Sequence, residues 1–71
     1  MGAILPFLPI GVFDDATTRL MGEAFDAARK VLHDEGQPAV VYEIMAKRII
    51  EAVQNGERDL LRLREAALRG L

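Results

Sequence analysis

His33-Asp34-Glu35 is the one place in this sequence where acid–base chemistry could begin, a single histidine followed by two carboxylates. A histidine steered by a carboxylate can serve as a general base or a metal ligand. Adjacent residues on a helix, however, point about 100° apart and cannot orient one another. His33 also falls on the polar face of a last helical turn, where its cationic form meets the negative end of the helix dipole. The reading is therefore a helix-end histidine, not a base or a ligand. Asp14-Asp15 is the other acidic pair, and a helix start accounts for both carboxylates through capping and the positive end of the dipole. Serine and cysteine are both missing from the chain. Serine and thiol nucleophiles, disulfides and thiolate metal sites are thereby excluded. Thr17 and Thr18 lie in a first helical turn, where threonine caps or back-bonds. Neither GxxxxGK[ST] nor GxGxxG occurs, so there is no phosphate loop. No catalytic residue, no cofactor site and no metal site is expected.

Arg48 and Arg64 are the sharper candidates. Each falls on the apolar side of its helix, and an arginine taken out of water must find a carboxylate or several carbonyls. The expectation is a structural ion pair at each. A pocket for an anionic ligand or phosphate is the alternative, since the guanidinium fork suits both.

The elements that must position these residues belong to one short domain of 71 residues. Such a chain buries a small core, and without cysteine its remaining staple is association with another chain. A hydrophobic content of 51% and a mean hydropathy of +0.12 agree with that expectation, because they are high for a small domain covering its own surface. A two-fold homodimer is expected. The net charge of −2 supplies no basic field for nucleic acid or anionic lipid. The apolar start is interrupted by Pro6 and Pro9 and carries no Lys or Arg. That composition speaks against a signal peptide or a spanning helix, and the expected location is the cytoplasm, with no membrane partner.

Hydrophobic spacing predicts an all-α fold, with helices over about 15–34, 38–54 and 60–69 and an extended apolar arm over 1–12 that leads into the 13–71 domain. On the first helix Leu20, Met21, Ala24, Phe25, Ala28, Val31 and Leu32 share a face, while Arg19–Glu23 and Asp26–Lys30 make i,i+4 pairs. Gly36 and Pro38 mark a tight corner, with Pro38 at the first position of the second helix, so the first two helices should run antiparallel. The second helix confines its polar residues to Glu43, Lys47, Glu51 and Gln54. A helix apolar on most sides is normally buried on most sides, which again predicts a partner chain. Asn55-Gly56 ends it and Asp59 caps the third helix.

The arm is too apolar to lie free, and its prolines oppose both helix and central strand. Exchanged between chains, it would make an intertwined homodimer. The expected interface comprises Phe7, Leu8 and Ile10 of the arm with Tyr42, Met45, Ile49, Ile50 and Val53 of the second helix.

The corner Ala52–Asp59 invites comparison with a helix-turn-helix, whose recognition helix enters the major groove by its N-terminal residues. Ala52 and Gly56 suit that motif, and Arg62, Arg64 and Arg69 follow. Yet the third helix opens on Leu60-Leu61, where base-reading side chains should stand, and nucleic acid is not the expected partner.

Two stretches of the chain, VFDDATTRLMGEAFDAA and EIMAKRIIEAVQNGERDLLRLREAAL, resemble a set of short bacterial all-helical proteins with no assigned activity. Their pattern is roughly F-D-x-x-x-x-x-x-M-x-x-A-F near the start and A-x-R-I-I-E-x-A-x-x-G-E-R near the end. The likeness spans about 12–68, and the RIIE…GER portion is its most specific part. Members of the set often carry Pro where this chain has Leu60, at the start of the last helix. The resemblance implies a cytoplasmic helical protein and no particular chemistry. Taken together, the residues predict a non-enzymatic protein-interaction or regulatory module acting as a homodimer, possible partners being itself or another protein. A small DNA-binding domain built on the last two helices and an anionic-ligand sensor are the alternatives.

Overall fold

Three helices follow one another in the computed structural model, α1 (Asp15–Val31), α2 (Ala39–Gln54) and α3 (Leu60–Leu68). The described residues are 13–32 and 38–69. The arm over 1–12, with Phe7, Leu8 and Ile10, lies outside them, as do His33-Asp34-Glu35 and Gly36.

Asp14 is the N-cap of α1, and its Oδ1 accepts from the Thr17 amide at 2.8 Å. This satisfies one of the amides that a helix start leaves without an intrahelical partner. The helix stops at Val31, three residues before the expected end at 34, and the amide of its C-cap Leu32 donates to the Ala28 carbonyl. Pro38 stands one place earlier than expected, as the N-cap of α2 rather than its first residue, with ψ 149°. Its extended ψ holds it outside the helix, while its carbonyl accepts from the Val41 amide at 3.0 Å.

The core is made by Met21, Ala24, Phe25 and Ala28 of α1, Met45, Ala46, Ile49 and Val53 of α2, and Leu63 and Ala67 of α3. Burying a side chain of leucine or methionine size contributes roughly 1.5–3 kcal/mol, so a nine-residue helix can be held by a few such contacts. α3 packs against α1 and α2 more extensively than those two pack against each other. That wedge changes the reading of α2. Met45, Ile49 and Val53, expected at an interface between chains, are enclosed in the chain's own core. Tyr42 and Ile50 are half-buried against it. The apolar circumference of α2 is thus largely occupied by α1 and α3, leaving Val40 as its large exposed hydrophobic residue at 54%. Val31, placed by periodicity on the core face of α1, is 50% exposed; it sits in the last residue of the helix, at the edge of the apolar stripe.

The α1–α2 contact is aromatic. Phe25 and Tyr42 ring centroids lie 6.2 Å apart, and the Arg29 guanidinium carbon sits 5.6 Å from the Tyr42 ring centre. Arg29 also reaches Asp26, three residues before it, at 3.7 Å, where the i,i+4 rule pointed Asp26 to Lys30. At the other end of α1, the Arg58 charge is felt by Asp14. With the end of α1 beside the start of α2, and the start of α1 beside the end of α2, the two helices run antiparallel, as the short connection predicts.

Candidate functional site: a cleft between α2 and α3

The α2–α3 corner is built residue by residue from Ala52 to Asp59. Gly56 has φ +97°, in the left-handed region that favours glycine. Its amide donates to the Val53 carbonyl at 3.0 Å and the Glu57 amide to the Ala52 carbonyl at 2.9 Å. This is the Schellman pairing, which satisfies carbonyls that a helix end would otherwise leave open. Arg58 Nη1 then donates to the Val53 carbonyl at 2.9 Å and to the Glu57 carbonyl at 2.8 Å. Its cation therefore lies at the negative end of α2. Glu57 Oε2 accepts from the Arg58 and Asp59 amides, each at 3.2 Å, and its Oε1 is 3.9 Å from Arg62 Nη1. Asp59 caps α3 as expected, its Oδ1 accepting from the Leu61 amide at 2.8 Å.

Next to this corner a cleft of about 470 Å³ opens between the C-terminal halves of α2 and α3. Arg48, Glu51, Ala52 and Asn55 come from α2 and its cap, Gly56 and Glu57 from the corner, and Ala66 and Arg69 from α3 and its end. The lining thus holds two guanidinium groups, two carboxylates, an amide and two small alanines. Arg48 Nε is shielded from solvent and has no hydrogen-bond partner, and the same holds for Arg64 Nε. Among the described residues neither arginine reaches a carboxylate within ion-pair distance. The structural ion pairs expected for them are absent there. For Arg48 the reason is local: Glu51, one turn on, lines the same cleft without closing on it. Arg64 lies on α3 away from the cleft lining.

This arrangement offers two guanidinium groups, two carboxylates and an amide. It contains no thiol, hydroxyl or imidazole, and among the described residues no three His, Asp or Glu side chains gather as a metal site. The remaining electrostatic feature lies at the start of α1. Asp14 is held below its ordinary carboxylate value chiefly by its hydrogen bonds with Thr17, with the Arg58 cation adding to the effect.

The first turn of α3 presents Leu60 and Leu61, 36% and 56% exposed, and Arg62 leans toward Glu57. Among the described residues, no helix is long and apolar enough to cross a membrane.

Sequence reasoning singled out Arg48 but not Glu51, Asn55, Glu57 or Arg69 beside it. The signal was present as spacing: Ile44, Arg48, Glu51 and Asn55 fall at intervals that place them along one stripe of α2. No protein-family model matches this chain, nor does any curated protein or solved structure. The likeness to short bacterial helical proteins therefore rests on the quoted residues themselves.

Proposed function

We propose that this chain is a non-enzymatic, cytoplasmic protein-interaction module that acts as a homodimer. One observation carries the reading: Arg48, at the wall of a polar cleft, has no carboxylate within ion-pair distance among the described residues. A carboxylate on a second protein surface supplies such a partner for the guanidinium. The cleft suits a protein surface better than a small anion, because Glu51 and Glu57 offset the charges of Arg48 and Arg69 in the same lining.

Sedimentation velocity across a micromolar concentration series tests this directly. The expected result is a reversible shift from one chain to two as concentration rises. A single compact monomer throughout the series would overturn the homodimer.

A further inference from the structure

We infer that two copies of this chain associate through the outer stripe of α2, antiparallel, with Arg48 of each copy paired to Glu51 of the other. The inference rests on the homodimer reading and specifies its contact. Ile44, Arg48, Glu51 and Asn55 recur at intervals of four, three and four residues, which lays them along a single helical seam. Three of the four line the α2–α3 cleft, and Ile44 is half-buried one turn before Arg48. Val40, exposed, extends the seam by a further turn. The core of the chain occupies the opposite side of α2, where Met45, Ile49 and Val53 point inward.

A second copy of the same seam is its own complement. In an antiparallel pair of identical helices about a two-fold axis, residues equally far from the axis on either side face one another. With the axis at the level between Ile49 and Ile50, Arg48 meets Glu51 twice and Ile44 meets Asn55 twice. Centring the axis on Arg48 or on Glu51 would set like charges face to face, and a parallel pair would do the same at both positions. The register is therefore chosen by charge. Ala52 and Ala66, small residues in the cleft lining, let an incoming helix approach closely. Partly exposed ion pairs add little affinity, on the order of 0.2–1 kcal/mol each, so they select partner and register.

The reciprocity gives a test that a merely structural role for either residue would not pass. A chain carrying Arg48→Glu has acids at both positions, and one carrying Glu51→Arg has bases at both. Each variant by itself should dimerise at least tenfold more weakly than the unaltered chain, by sedimentation or light scattering. Mixed in equal amounts, the two should restore a dimer, because every facing pair is then opposite in charge. Far-UV circular dichroism checks the fold of each variant. Should Arg48→Glu not fold, the exposed position still serves: Glu51→Arg by itself must weaken the dimer, and Glu51→Gln must weaken it less. If the unaltered chain dimerises and the variants, separately and mixed, do so equally well, the seam is wrong and the homodimer stands. Weak variants that fail to recover on mixing overturn the antiparallel pairing. A monomeric unaltered chain overturns both readings.

Discussion

Arg58 is joined to Val53 by a hydrogen bond from Nη1 to the backbone carbonyl, 2.9 Å long and spanning the corner between α2 and α3. The same nitrogen reaches the Glu57 carbonyl, so one side chain ties the end of α2 to the turn that leaves it. Its charge also helps hold the Asp14 carboxylate at the start of α1 in its ionised form. One guanidinium thus acts where α1 begins and α2 ends.

Replacing Arg58 by methionine should destabilise the chain by about 1 kcal/mol, at the scale of a hydrogen bond made by a charged donor but shared with a second donor. The Val53 carbonyl keeps its bond from the Gly56 amide, which limits the loss. Arg58→Lys should recover part of it, since an ammonium retains the charge but not the planar fork. Urea denaturation of the three chains checks the order. Equal midpoints would mean that the arginine does not close the corner.

Gly56→Ala separates backbone strain from crowding. A Cβ at this position would meet no atom within 4 Å, yet φ is +97°. The penalty is therefore conformational and should be about 1–2 kcal/mol, with Gly56→Asn cheaper because asparagine tolerates left-handed backbone. A neutral Gly56→Ala would show that the turn can relax into another conformation.

Much of this corner was legible in the sequence. Asn55-Gly56 followed by Asp59 announces a helix stop and a new N-cap, and both stand where the residues placed them. Asp14 was equally readable as a cap. The fate of α2 was not. Periodicity reports that Met45, Ile49 and Val53 must be buried, but not whether the burying surface belongs to the same chain. That depends on how α3 wedges against both other helices, a property of tertiary packing that no local pattern encodes. The cleft neighbours of Arg48 were hidden for a related reason. A cleft gathers residues from two helices and a turn, and only the α2 contribution has a spacing to read.

Asp14 predicts a specific pH dependence. Its folded-state value lies below the ordinary 3.8, so its contribution to stability is present above that value and is lost as pH falls through the folded one. The urea midpoint of the chain should therefore decline over about pH 5 to pH 2. Asp14→Asn keeps a capping oxygen but cannot titrate, and its midpoint should fall less over the same interval. Parallel curves would remove Asp14 as a source of the acid sensitivity.

Arg64 yields the last prediction. It sits in α3 beside the buried Leu63, with a solvent-shielded Nε that has no acceptor and no carboxylate within ion-pair reach among the described residues. Methionine matches the unbranched stem of arginine and carries no donor, so it removes the shielded Nε while keeping the contacts of the stem. Arg64→Met should leave the helical content unchanged and raise stability by about 1 kcal/mol, the lower end of the penalty for an unpaired shielded donor. The matched change Arg62→Met is the control. Arg62 is exposed and 3.9 Å from Glu57 Oε1, a contact worth little on the surface, so its loss should alter stability by less than about 0.5 kcal/mol. Denaturant midpoints for both variants distinguish the cases. A loss above about 1 kcal/mol on removing Arg64 would mean that its guanidinium is hydrogen-bonded in solution, and that α3 keeps the charge because it depends on that bond.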